Sequence, residues 1–317
     1  MEIHDYQKVY EKLKNGEEVV PVSREEAFMM ALIGRIGSSG GESERSLKTL
    51  LDYTKSTASL FSGLTDLESI DPNILLKTDT SNVTNMRSMF QNCPSLTTVP
   101  ELDTGNVNNM AYMFSSCKSL TTIPELDTSN VTNMSGMFDG SSALKTVPEL
   151  DTSNVTDMSF MFNGCGALET IPELDTRNVT STFYMFVNCT SLKTVSGLDL
   201  RNVEDAGNMF NVCDELETCL IKNIKTELDL SECPSLSLDS LIYIIKELRR
   251  AGGKTLTLGS VNRAKLNGVY VKTIDITDDM RAEDDLIDEK LPFEICDENT
   301  DGGTNIIDYM TRKSWYC

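Results

Sequence analysis

Asp127–Leu150 reads DTSNVTNMSGMFDGSSALKTVPEL, and the same 24-residue phrase starts again at Asp79, Asp103, Asp151 and Asp175. A sixth, decaying copy starts at Asp199. A fixed period of this length is the signature of stacked repeats. One unit cannot bury its apolar face alone, so each packs on the next and the array shares one core. Such an array offers a long surface rather than a closed pocket, which argues against an enzyme.

The apolar positions hardly change between copies. Val83, Met86, Met89, Phe90, Leu96, Val99 and Leu102 recur as Val131, Met134, Met137, Phe138, Leu144, Val147 and Leu150. Each is expected to face inward and to form a column along the axis. Strand-like pairing between units predicts a rise of ~4.8 Å per repeat. The spacing Leu120, Ile123, Leu126 suits a short extended segment. The spacing Asn130, Met134, Met137, Phe138 suits one tight helical or 3₁₀ turn. Asp-Thr-Ser-Asn between the two is turn chemistry, because Asp and Asn side chains satisfy nearby backbone N–H groups. Pro100, Pro124, Pro148 and Pro172 have no N–H to donate and are expected to end the strand pairing.

Three further columns carry chemistry-bearing groups. Cys93, Cys117, Cys165, Cys189 and Cys213 form the first, with Ser141 in the gap. These lie along a line rather than around a point, so they read as small buried thiols and not as metal ligands. Asp79, Asp103, Asp127, Asp151, Asp175 and Asp199 form the second. Stacked like charges repel, so this column needs either turn hydrogen bonds or a row of bound cations. Thr98, Thr122, Thr146, Thr170 and Thr194 form a structural hydroxyl ladder.

The variable positions bear on function. Ser88, Tyr112, Gly136, Phe160, Tyr184 and Asn208 lie two residues after the first Met position, and Arg87, Ala111, Ser135, Ser159, Phe183 and Gly207 lie one before them. Falling between inward residues, they are expected to face outward. Tyr112, Phe160, Phe183 and Tyr184 would then form an aromatic stripe, either a contact surface or a face covered by a neighbouring segment or subunit.

Outside the repeats the chain changes character. In residues 1–37, Ile3, Tyr6, Val9, Tyr10 and Leu13 share one face of a predicted helix ending at Gly16. Ser23 and Glu26 form a capping box opening a second, with Phe28, Met29, Leu32 and Ile33. Two short amphipathic helices need something to pack on, so this module reads as a docking anchor or as an N-terminal cap. A Gly/Ser-rich linker, 38–45, follows. The array itself spans 46–235, about five full and two degenerate units. In the first degenerate unit Thr54, Leu60 and Phe61 echo Val83, Met89 and Phe90 after an insertion near Pro72. Residues 236–317 read as a C-terminal α/β cap with an acidic tail. Within it Leu236–Leu248 is a predicted helix and Thr255–Leu258 a predicted strand. Asp297–Gly302 matches the start of an EF-hand loop, but Thr304 and Asp308 depart from the later positions, so it reads as a weak calcium match or a plain polar turn.

Composition excludes several functions. A formal net charge of −21 makes nucleic acid a poor partner. Nine cysteines, most of them in one column, do not look like a disulfide framework. No signal peptide is read at the N-terminus and no stretch is apolar enough for membrane insertion. His4 is the only histidine, so triad-type nucleophilic catalysis is not expected. No cofactor and no metal are expected.

The phrase DTSNVTNMSGMF, with Cys and Leu columns after it, resembles the bacterial surface-protein repeat, a relative of BspA-like leucine-rich repeats. The match covers about Leu50 to Leu266. The segment LTLGSVNRAKL resembles the element that closes such arrays in phage and prophage proteins. The resemblance implies an α/β repeat: a leucine-rich-repeat-like right-handed solenoid with an N-terminal helical anchor and a C-terminal cap. It also implies a non-enzymatic fibre protein of a phage virion. Residues 1–37 would meet other virion proteins, the solenoid would meet a host surface protein or glycan, and a homo-oligomer would fit as well. A bacterial cell-surface adhesin and a purely structural virion scaffold are the alternatives.

Overall fold

The computed structural model describes residues 56–63, 65, 67, 80–206, 208–247, 256–267, 270–273, 293–296 and 304–306. The anchor residues Tyr6, Tyr10, Leu13, Phe28, Met29, Leu32 and Ile33, the linker, Thr54, Asp79 and the Asp297–Gly302 loop lie outside them.

Successive 24-residue units run parallel and in register. Asn85, Asn109, Asn133, Asp157 and Ser181 are bridged one to the next, and Ser56 joins Asn85 across the longer first spacing. Inward columns follow directly. Phe61, Phe90, Phe114, Phe138, Phe162, Phe186 and Phe210 are fully buried. They stack face to face, with ring centroids 5.4–5.9 Å apart and planes within 11° of parallel. This spacing exceeds the ~4.8 Å expected from strand pairing, since offset rings add lateral slip to the rise. Val83, Met86, Met89, Leu96 and their equivalents share the same core, while Val99, Val147 and Ile171 are only partly buried against it.

The Met-x-x-Met-Phe segment is neither helix nor strand. Met86, Ser88, Phe90 and Asn92 donate their N–H groups to the Asn109, Ala111, Met113 and Ser115 carbonyls of the next coil, at 2.8–2.9 Å. Between them, Met89 and Gln91 donate back to Met86 and Ser88 in tight three-residue turns. The expected turn is therefore present, but alternate amides are diverted to the neighbour. That diversion needs left-handed residues. Ser88, Tyr112, Gly136, Phe160 and Tyr184 have φ of 55–60°. Four residues later Asn92, Ser116, Gly140, Gly164, Asn188 and Val212 have φ of 58–73°. For a bulky L-residue this conformation costs about 1–2 kcal/mol, and the inter-coil bonds offset it.

Extended segments become strands only late in the array. β1 (Thr194–Asp199) and β2 (Thr218–Lys222) pair in parallel. Ser196 and Leu220 occupy the position that is proline in the four earlier copies. Where proline removes the donor, no strand forms among the described residues.

The array closes with mixed structure. β3 (Leu228–Leu230) pairs in parallel with β4 (Leu256–Leu258). α1 spans Leu238–Glu247, two residues shorter at the start than the periodicity suggested. Its Ser240 hydroxyl accepts the Cys219 N–H at 3.1 Å and donates to the Glu217 carbonyl at 3.1 Å, so a side chain finishes the β2 edge. α2 (Ser260–Leu266) was not foreseen. Asn262 donates to the Leu230 and Cys233 carbonyls, and Lys265 to those of Pro234 and Leu236. Both helices thus satisfy backbone groups that a further coil would otherwise meet. Beyond them, β5 (Tyr270–Thr273) lies between β6 (Phe293–Cys296) and β7 (Thr304–Asn305) in an antiparallel sheet that the sequence reading also missed.

Candidate functional site: an aromatic cluster on the left-handed column

The stripe divides in two. Phe160, Phe183 and Tyr184 come together. Phe160 stacks on Tyr184 at 5.4 Å, and Phe183 stands edge-on to both, at 5.5 Å and 4.1 Å. Tyr112 lies apart, its ring over Gly136, where an added Cβ would sit 2.3 Å from Tyr112 Cε1. The Arg87 guanidinium covers that ring at 5.3 Å. All four aromatics are half-buried rather than fully exposed. The expectation that both columns simply face outward is corrected at Ser88, Ala111 and Ser135, which are buried. The left-handed turn tucks these small side chains beside the next coil.

Polar columns flank the cluster. Three residues before each left-handed position runs Asn85, Asn109, Asn133 and Asp157, whose Oδ1 atoms accept the N–H two residues on at 2.9–3.0 Å. Beside Phe160, the Ser159 hydroxyl contacts Asp157 Oδ1 and lies 2.7 Å from the Ser181 hydroxyl. On the other flank Asn163 donates to Asp139 Oδ1 at 2.8 Å. Burial raises the Asp139 pKa, and that hydrogen bond partly offsets the rise.

The described members of the aspartate column are turn caps. Oδ1 of Asp103, Asp127, Asp151, Asp175 and Asp199 accepts the N–H two residues later at 3.0–3.3 Å. Ser129 and Ser153 add their hydroxyls, and hold Asp127 and Asp151 below the usual carboxylate range. Arg177 and Arg201 add forked guanidinium contacts at 2.6 Å to Asp175 and Asp199. Arg177 depresses Asp175; burial pushes Asp199 up, but Arg201 and Asn223 bring it below its ordinary value. A cleft of ≈ 540 Å³ runs along this face, lined by Asp151, Asp175, Arg177, Asp199 and Lys222 among others. Next to the aspartates, Asn106, Asn130, Asn154, Asn178 and Asn202 each donate to a carbonyl of the preceding coil at 2.6–2.8 Å.

The cysteines do more than fill space. Cys93, Cys117, Cys165, Cys189 and Cys213 donate from Sγ to the Phe61, Phe90, Phe138, Phe162 and Phe186 carbonyls at 3.0–3.2 Å. Ser141 makes the same bond to Phe114 at 2.6 Å, and Cys233 adds a rung on Phe210. The serine in the gap was the available signal: serine replaces a hydrogen-bonding thiol and is a poor replacement for a hydrophobe. Burial pushes the Cys189 thiol up to about 12 and raises Cys117, Cys165 and Cys219 too. Cys213 is raised first by its contact with Cys233 and then by burial. Among the described residues no group of three potential ligands converges on a metal position, and no helix is long and apolar enough to cross a membrane.

No curated protein and no solved structure matches the chain. A family model described as "Mycoplasma protein of unknown function, DUF285" matches residues 55–146 and 121–223. The two matches overlap within the repeats and together cover more than half of the sequence. The chain therefore belongs to this DUF285 repeat family.

Proposed function

We propose that the chain is a non-enzymatic display protein: a BspA-like, leucine-rich-repeat-like right-handed solenoid carried on a phage virion and presenting its coil surface for adhesion. The observation that carries this reading is the division of labour within each coil. Phe, Met, Val and Cys columns are buried and nearly invariant, whereas the left-handed column varies from Ser88 to Tyr112, Gly136, Phe160 and Tyr184. A rigid core with a variable, aromatic-bearing face suits recognition of something outside the protein. The resemblance of LTLGSVNRAKL to phage array-closing segments, and the order of anchor, linker and repeats, support the virion setting. In this reading residues 1–37 attach to other virion proteins.

A second reading is a bacterial cell-surface adhesin, to which the resemblance to BspA-like surface repeats points and with which a family described from Mycoplasma, a cellular organism, is compatible. Electron cryo-microscopy of particles from the source culture, together with cell fractionation, separates the two. Density for residues 1–37 docked on a capsid or tail is the expected result. Particles without the chain, with the protein recovered from cell envelopes, would replace the virion reading by the adhesin. A chain seen with its aromatic face packed on other virion proteins would mean a structural scaffold.

A further inference from the structure

We infer that the surface formed by Phe160, Phe183 and Tyr184 is a platform for an uncharged or amino-bearing sugar chain. The inference rests on the display reading above and names the ligand class of the displayed face. The first ground is that the rings are not needed for folding. Phe160 and Tyr184 sit on left-handed residues, in a column where Ser88 and Gly136 fill the same role. Phe183 shares its column with Ala111. Coils without a ring at these places stack equally well, so three clustered, half-exposed rings answer to something beyond the fold.

The second ground is the flanking chemistry. A pyranose offers an apolar C–H face edged by hydroxyl groups. Ring faces and edges take the first. Carboxylate and amide oxygens take the second, and here Asp157 Oδ2 and Asn163 Oδ1 would accept from sugar hydroxyls, since Asp157 Oδ1 already accepts from Ser159 and Asn163 Nδ2 donates to Asp139. Asp157 lies three residues before Phe160 and Asn163 three after, both half-exposed. Ser159 and Ser181 continue this row, with hydroxyls 2.7 Å apart. Apolar rings between two polar rows fit a sugar better than an extended apolar peptide.

Charge is the third. The chain carries a net charge of −21, and carboxylates stand on both flanks of the rings, Asp157 bonded to Ser159 and Asp139 to Asn163. Anionic polysaccharides are repelled by such a surface, whereas neutral and amino sugars are not.

The test uses the full chain against immobilised mannan, chitin oligomers, chitosan and heparin. Retention on one of the first three and none on heparin is expected. Phe160→Ser with Tyr184→Ser, and Phe183→Ala alone, place residues already native to these columns. Each is expected to weaken binding about tenfold or more while the thermal midpoint stays near that of the parent. Phe160→Tyr should retain binding. No retention on any neutral or amino glycan, equal retention by the cluster variants, or preference for heparin would overturn the inference. If the chain is nonetheless found on particles or cells and adheres there, the display reading survives that failure. Absence from both surfaces sinks the display reading whatever the glycan result.

Discussion

Thr182 stands where Met86, Met110, Met134 and Met158 stand in earlier coils. It is fully buried, and its Oγ1 has no hydrogen-bond partner among the described residues. A buried unpaired hydroxyl costs about 1–3 kcal/mol. Thr182→Val keeps the shape and removes the hydroxyl, so it is expected to stabilise the protein by about 1 kcal/mol, read as a higher thermal midpoint; a lower one would refute the account. Ser141 is the opposite case. Its hydroxyl donates to the Phe114 carbonyl and accepts the Cys117 N–H at 3.2 Å. Ser141→Ala is expected to cost about 1–2 kcal/mol by leaving a buried carbonyl poorly paired, while Ser141→Cys restores the rung used elsewhere. Equal stability of the two variants in denaturant titrations would show that the rung carries no energy.

Within a single coil, the informative unit is the column. The thiol column couples to the phenylalanine column, since each Sγ bonds to the backbone of the preceding coil's phenylalanine. Buried thiols with raised pKa values are inert to electrophiles, because the thiolate is the reactive form. Seven of the nine cysteines are buried, leaving Cys296 and Cys317 outside that set. Titration of the native protein with a thiol reagent at neutral pH is expected to modify no more than those two, and all nine after unfolding. Rapid native modification at Cys117 or Cys189 would contradict the burial. The elements themselves were unevenly legible. The Met and Phe spacing pointed to a tight turn, and tight turns are there. It could not reveal that Tyr112 and Phe160 are left-handed, since nothing in a side chain's chemistry announces that conformation when it is aromatic. Gly136 and the Asn92, Gly140, Gly164 column were the legible hints. Proline marked where strands fail, and Ser196 and Leu220 where β1 and β2 succeed.

At the scale of the molecule, the aspartate column links charge to stability. Asp127, Asp151, Asp175 and Asp199 all have folded pKa values below the unfolded value of 3.8. A depressed carboxylate contributes stability above the unfolded pKa and loses it as pH falls through the folded one. Asp139 runs the other way: burial raises it, so its charged form is disfavoured and protonation relieves that cost. Four residues against one set the sign. The thermal midpoint is expected to hold from pH 7 to about 5 and to fall below about 4. Asp199→Asn, which leaves Arg201 without its carboxylate, should lower the midpoint at pH 7 and flatten the acid limb. A midpoint that rises on acidification below pH 4 would contradict the assignment.

The sequence by itself determined the repeat length, the inward columns and the five-residue insertion before the second unit. Those follow from periodicity, because a stacked array places equivalent residues in equivalent environments. Only the tertiary structure decided which aromatics meet. Phe160, Phe183 and Tyr184 lie in adjacent coils, and Tyr112 is separated from them by the coil of Gly136, into whose empty side-chain space its ring falls. Nor did the pattern disclose the bonds from cysteine to phenylalanine carbonyls, or the closing roles of Ser240, Asn262 and Lys265. These depend on distances between coils and on which backbone groups the last coil leaves open, and a one-dimensional pattern carries neither.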